Sequence, residues 1–399
     1  MKRRIAVLGG GIGALSTVYE LTNRPGFKDR FEITVYQMGH RLGGKGASGV
    51  NRLHHDRIEE HGLHIFWGFY ENAFRMMREV YAELGRPPSA PLATFEDAFF
   101  SHDLIVVPEV GKDGERSYWP LRMPRNERVP GDGLDDLLEP WDYVPRLLGW
   151  LLTMLGFDRH EDPPIAEAAS GICPSDLARG SALERALRTV GEALLSTMVH
   201  VSRVARALLP VARDLAIARA LAQSPTDSPS GRASSVLFLI RHSQRCFDRL
   251  IESGETDVRL RTQVDLALTL LRGLLADGLV IPPRDFHALD DESLRGWLAR
   301  HGARAETLSS PLLEGLHAAI YSSGLEIAAG TAVHGLLRIA FTYKGSILWK
   351  MRAGMGETIF APLYEVLRRR GVRFELFHAV DKLRLSPDRT HIAHIDMTV

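Results

Sequence analysis

Cysteine is nearly absent from this chain of 399 residues. The two present, Cys173 and Cys246, stand far apart and in no metal-ligand spacing, so a disulfide-stapled fold is excluded and two reduced, partly buried thiols are expected. An excess of charge is also missing: lysine plus arginine and aspartate plus glutamate number 49 each. No long-range field therefore recruits nucleic acid or an anionic surface, and no nucleic-acid partner is expected. Long apolar runs are lacking too, since none reaches the roughly 18 to 20 residues that a spanning helix needs. The opening "MKRRIAVLGGGIGAL" has the basic start of a signal peptide. Its apolar part is broken by three consecutive glycines and runs into a helical pattern, so the expectation is a cytoplasmic protein. There is no fixed-period repeat, no P-loop and no assignable Ser/His/Asp grouping.

What is present is a globular composition, 45% hydrophobic, long enough for two or three domains. The first block reads strand "IAVL", turn "GGGIG", helix "ALSTVYELTN" and strand "FEITVY", half of a parallel βαβ unit closed by Pro25 and Gly26. Apolar residues at Ala73, Met76, Met77, Val80, Tyr81 and Leu84 predict a helix stopped by Gly85 and Pro87. Residues 94–122 read as extended, with a hairpin turning at Asp113 and Gly114. From about 134 to 305 the patterns are long and helical, divided at 223–235 by "QSPTDSPSGRASS", which has the composition of a flexible loop. The end returns to glycine turn, helix, strand and a strand pair around "SPDR". The fold class expected is α/β, a Rossmann-like domain with an inserted, mostly helical second domain. The expected divisions are 1–133, 134–305 and 306–399.

Gly9, Gly11 and Ala14 form G-x-G-x-x-A between a strand and a helix, the context that a dinucleotide-binding turn requires. Gly9 permits the sharp turn, Gly11 lets backbone approach a pyrophosphate, and the small Ala14 lets helix and strand pack closely. The helix N-terminus then offers unpaired N–H groups to phosphate. At the end of the second strand, where a dinucleotide site usually holds a carboxylate for ribose hydroxyls, stands Gln37, whose amide can bond a hydroxyl without charge.

The stretch that follows, "HRLGGKGAS", resembles the flavin-binding signature of the amine oxidase and carotenoid (phytoene) desaturase superfamily. Arg41, Leu42, Gly43, Gly44 and Lys45 match it in register, with Lys45 where the family has Arg. The resemblance implies FAD as cofactor, with Gly43 and Gly44 bringing backbone against the diphosphate and Lys45 adding positive charge. "GLHIF" at 62–66 narrows the resemblance toward the desaturases. It implies that Gly62, Leu63 and His64 approach the flavin, with His64 either a candidate acid or base or a hydrogen-bonded structural residue. The histidines at 54, 55, 61 and 64 have neither H-E-x-x-H spacing nor paired cysteines, and no metal site is expected. Near the C-terminus the resemblance places Val380 on the adenine side.

The family completes its flavin site with a further glycine-rich segment near the end of a longer polypeptide. Nothing after residue 354 fits that role, and the chain stops in a strand pattern. The expectation is therefore a truncated or split member needing a partner chain or C-terminal segment. The implied activity is FAD-dependent oxidation of a hydrophobic, polyene or isoprenoid-type substrate. A catalytically silent dinucleotide-binding protein, an amine oxidase and an NAD(P)-binding protein are the alternatives. Arginines at 185, 188, 203, 206, 213 and 219 on amphipathic helices allow either peripheral membrane contact or packing in a core. The run around Trp150 reads as core or as the lining of a substrate tunnel.

Overall fold

The computed structural model describes residues 2–110, 114–133, 138–157, 188, 203–224, 228–252, 257–282, 285–315 and 327–399. Asp113, Cys173, Arg185 and most of the expected helical stretch from 182 to 202 lie outside them. The chain forms two compact units: Met1–Asp103 with Met123–Asp135 and Tyr343–Val399, and Leu104–Arg122 with Asp136–Thr342.

The first unit begins with β1 (Arg3–Leu8), α1 (Ile12–Thr22) and β2 (Phe31–Gln37). α1 buries Leu15, Val18 and Tyr19, spaced three, four and one residues so that they share one face. β3 (Gly49–Asn51) pairs antiparallel with β4 (Arg57–Glu59), and β5 (Phe66–Trp67) leads into α2 (Glu71–Leu84). In α2 the sequence pattern is realised: Met76, Met77, Val80, Tyr81 and Leu84 are buried with Phe74, while Ala73 is only half-buried. Gly85 ends the helix in the left-handed region, its N–H donating to the Tyr81 carbonyl. β6 (Phe99–His102) then closes this first segment.

The second unit opens with β7 (Leu104–Val110) and β8 (Arg116–Arg122), an antiparallel pair. Its helices are α3 (Tyr143–Met154), α4 (Arg203–Gln223), α5 (Pro229–Glu252), α6 (Val258–Ala276), α7 (Leu294–Arg300) and α8 (Ala329–Phe341). One hydrophobic core joins them, and it includes Val107 and Trp119 of the hairpin, Leu215 and Ile217 of α4, and Trp297 of α7. Each fully buried side chain of this size contributes about 1.5–3 kcal/mol through apolar burial. In α4 the stretch from Leu208 to Ala222 is largely interior, so this part of the arginine-bearing segment packs in the core. Around Trp150, which is itself half-buried, Leu147, Leu148, Leu151 and Leu152 are core residues.

Two divisions differ from those expected. The hairpin 104–122 belongs with the helical unit because Val107 and Trp119 are buried in its core. The return to the first unit comes at Tyr343 rather than 306, because Ala329, Ala332, Val333 and Leu337 of α8 face the helical core. The Ser/Pro-rich stretch at 223–235 is corrected in part: from Pro229 on it forms the first turns of α5, and 225–227 lie outside the described residues. Ser228 accepts the Gly231 N–H at 3.2 Å and Pro229 takes the first helical position, where its missing N–H costs nothing.

The return supplies β9 (Leu348–Met351), which lies between β5 and β6, then α9 (Ala361–Arg369), β10 (Arg373–Leu376), β11 (Ala379–Leu385) and β12 (Ile392–Thr398). β10 pairs parallel with β2, giving the order β1-β2-β10. β2 is central, with Ile33, Thr34 and Val35 buried. β1 is an edge strand among the described residues, and Arg3, Arg4, Ala6 and Leu8 are exposed. β11 and β12 form a separate antiparallel hairpin. Among the described residues no helix is long and apolar enough to cross a membrane.

Candidate dinucleotide site

The parallel register brings the C-terminal ends of the three strands level: Leu8 lies opposite Tyr36, and Gln37 opposite Leu376. This edge of an α/β sheet is where a ligand meets helix N-termini and loop backbone. The first glycine turn crosses it. Gly9, at φ +94°, makes the turn and donates its N–H to the Tyr36 carbonyl at 2.8 Å. Gly11 then starts α1 with no side-chain cap and no acidic residue in the first turn. The first amides of α1 therefore keep their attraction for an anion.

Gly11 differs from Gly9 and Gly10 in one informative respect. Its backbone is extended, at φ −75°, and a Cβ built there meets nothing within 4 Å. Neither backbone strain nor packing inside the protein requires glycine at this position. The space beside it is external, as close approach of a phosphate demands. Gly43 shows the opposite. At φ +117° it is buried, and a Cβ there would stand 2.7 Å from the Phe360 ring and 2.9 Å from the Ala47 backbone.

The second turn is fastened to the first. The Gly43 N–H donates to the Gly10 carbonyl at 2.8 Å, and Gly11 and Gly43 form a parallel bridge. Gln37 completes the clasp by accepting the Gly10 N–H at 2.8 Å through Oε1. The side chain expected to face ribose thus holds the two turns together through its oxygen. Gly43 faces inward with its amide occupied, so the exposed backbone of this turn begins at Gly44 and Lys45. Arg41 is exposed and donates to the Ser48 carbonyl at 3.2 Å.

Ser48 and Glu60, which carry no signature in the sequence, organise what lies beyond. The Ser48 hydroxyl donates to Glu60 at 2.7 Å and accepts the Gly356 N–H at 2.8 Å. Glu60 also accepts the Met355 N–H at 2.6 Å and meets His64 Nδ1 at 2.9 Å. Burial alone raises a carboxyl, but here the hydrogen bonds from Ser48, His64 and the Met355 amide outweigh it and hold Glu60 below its ordinary value. His64 is therefore fixed on one ring nitrogen. Gly62 and Leu63 beside it are exposed, Leu63 at 83%. Ala14 is half-buried in the first turn of α1. Val380 lies in β11 opposite Met397, two residues beyond His378, whose N–H donates to the Gln37 carbonyl at 2.9 Å. A cavity of about 170 Å³ beside the second turn is lined by Arg41, Leu42, Ser48, Gly356, Phe360 and others of the same unit.

Residues 7–80, which contain both turns and the His64 loop, match the NAD(P)-binding Rossmann-like domain. Over 82 residues the chain is 37% identical to a zeta-carotene desaturase of Arabidopsis thaliana and 35% identical to that of Solanum lycopersicum. Over this segment the chain is similar to carotenoid desaturases. A Synechocystis sp. zeta-carotene desaturase is 32% identical over 80 residues. The matched stretch is 21% of this chain and 13% of the Arabidopsis protein, so only a small part of the length of these relatives is represented. The desaturase-like segment is the one whose two turns are clasped by Gln37.

In the helical unit Cys246 has neighbours that its sequence spacing hides. Its Sγ is 3.8 Å from His242 Nδ1, the nitrogen that also touches the buried Asp214 carboxylate. Arg213 holds that carboxylate at 3.1 Å and Arg249 reaches the thiol at 3.3 Å. Two guanidiniums thus supply the positive charge that three such ligand atoms attract, and the arrangement is an ion-paired network.

Proposed function

We propose that this chain provides the dinucleotide-binding part of a FAD-dependent oxidoreductase of the desaturase type, acting on a hydrophobic, polyene or isoprenoid-like substrate. The observation that carries the reading is Gly11. Neither strain nor internal contacts explain glycine there, a property it shares with Gly13, and Gly11 itself stands at the uncapped start of α1, beside the second turn. FAD is favoured over NAD(P) by the second turn, where Gly44 and Lys45 add exposed backbone and a positive charge beside the first.

The residues fit a dinucleotide. The α1 amides and Gly11 receive the diphosphate, Lys45 stands ready to neutralise it, and the Gln37 NH2 donates to a ribose oxygen. Bound FAD supplies the two-electron acceptor for C–H oxidation; the chain's own work is to bind, orient and screen from water. His64, held by Glu60, shapes the loop that faces the ligand. A polyene substrate is supported by the desaturase names of the relatives.

A second reading rests on β1. Its exposed residues and free outer edge suit pairing with a further strand, from a partner chain or another part of the polypeptide, and the site then works only in that assembly.

The test is a titration of the purified chain with FAD, read by flavin fluorescence, beside a Gly11→Glu variant. Saturable binding by the first and none by the second supports the proposal. Tight binding of NADH with none of FAD assigns the turn to nicotinamide chemistry, and equal binding of FAD by both proteins overturns the role of Gly11.

A further inference from the structure

Within the helical unit a cavity of about 570 Å³ is bounded by Phe238, Arg241, Gln244, Arg245 and Asp248 of α5, Arg272 of α6, and Gly302. The α5 residues recur every three or four positions and so occupy one helix face. Three guanidiniums converge on this space against one carboxylate, and that carboxylate is engaged: Asp248 accepts from Arg304 Nη1 at 2.8 Å. The cavity is left positive.

Arg272 is the unusual member. Its Nε and Nη2 are covered by protein and have no acceptor. Burial pushes this guanidinium below its ordinary value and Arg241 adds to the effect, while Asp265 and Asp248 oppose it. Asp265 is itself buried and accepts the Arg304 N–H at 2.9 Å, and it acts on Arg272 through charge alone. The two covered nitrogens stay unpaired at a cost, while the rest of the side chain lines the cavity and adds its charge there. Arg241 and Arg245 are exposed on the rim, and Phe238, 49% exposed, offers an apolar surface beside them.

From this geometry we propose that the cavity between α5 and α6 binds the phosphate or diphosphate group of a small organic molecule. Guanidinium is the side chain matched to phosphate oxygens, and three of them suit a group with more than one charged oxygen. The volume exceeds what bare phosphate fills and lies in the range of small-molecule sites, so the body of the ligand rests within it, against Phe238. The inference is independent of the flavin reading, since every residue named lies in the helical unit.

The experiment is calorimetric titration of the full chain with inorganic pyrophosphate and with inorganic phosphate. It is repeated on Arg272→Gln, on the double variant Arg241→Gln/Arg245→Gln, on Gly11→Glu and on the distant Arg295→Gln. One saturable site is expected for pyrophosphate, about tenfold or more tighter than for phosphate. It should weaken at least tenfold in both arginine variants and stay within twofold in Arg295→Gln. The double variant alters only exposed side chains, so it remains informative if Arg272→Gln fails to fold. No saturable binding at millimolar pyrophosphate overturns the proposal. So does binding lost in Gly11→Glu and kept in the arginine variants, which moves the anion to the first glycine turn. Retention only on phosphatidylcholine vesicles containing phosphatidic acid, with no binding of free pyrophosphate, also overturns it in favour of a lipid headgroup.

Discussion

The Gln37 amide oxygen accepts the backbone N–H of Gly10 at 2.8 Å, joining the end of β2 to the turn after β1. Gly10 is buried, so that N–H has no access to solvent as an alternative partner. Replacing Gln37 by Leu should cost about 1–2 kcal/mol of stability, the penalty for a buried donor left unpaired. Gln37→Glu should act in the other direction. A carboxylate accepts the same N–H more strongly and has lone pairs to spare for ribose hydroxyls. Chemical denaturation and FAD titration of the two variants are expected to show lower stability for the first and several-fold tighter binding for the second.

Gly11 and Gly43 should separate binding from folding. Gly11→Ala places its methyl in open space at an ordinary backbone angle, so the thermal midpoint should stay near wild type while dinucleotide affinity falls at least tenfold. Gly43→Ala forces a methyl against Phe360 and Ala47 at φ +117°, and a loss of about 2–4 kcal/mol is expected from overpacking with backbone strain. Paired melting and titration curves check both. Equal destabilisation by the two substitutions would contradict the assignment of Gly11 to ligand approach.

Asp277, just beyond α6, ties the end of that helix to α7. It accepts from Trp297 Nε1 at 2.8 Å, meets His301 Nε2 at 3.0 Å, and pairs with Arg300. Burial would raise this carboxyl, but the bonds from Arg300, His301 and Trp297 prevail and bring it down to about 2. A carboxylate depressed in the folded state stabilises above its unfolded value, near 3.8, and that contribution disappears as pH falls through about 2. With partial solvent screening the contribution is on the order of 1–2 kcal/mol. Wild type should therefore lose stability between pH 4 and 2 more steeply than Asp277→Asn, as urea midpoints measured across that window will show.

The βαβ start, its two glycine turns and the face of α2 were legible because each rests on local periodicity or backbone geometry. The inward position of Gly43 was not. It depends on Phe360, which arrives from the far end of the chain through α9. The orientation of Gln37 was hidden for a related reason, since spacing locates a side chain at a strand end but does not choose among the donors it meets there. Composition misled at 228–235, where Ser228 and Pro229 act as a helix start. The extent of the helical unit was obscured because Val107 and Trp119 look the same in sequence whichever core buries them.

His64 is the residue whose chemistry the sequence left open, and Glu60 decides how it should be tested. Glu60 serves Ser48, the Met355 amide and His64 together, so it supports the loop whether or not His64 is present. Glu60→Ala leaves the Met355 N–H and the Ser48 hydroxyl without their acceptor and should cost about 2–3 kcal/mol, whereas His64→Ala should cost about 1 kcal/mol or less. If His64 only supports the loop, His64→Gln, which can still donate to Glu60, should restore both stability and any flavin reduction by a polyene. If it transfers a proton during C–H oxidation, His64→Gln should match wild type in stability and in FAD affinity, yet reduce the flavin at least a hundredfold more slowly and lose the pH dependence of that rate. Single-turnover reduction followed across pH, with melting curves on the same preparations, distinguishes these outcomes. The fixed contact to Glu60 favours the supporting role.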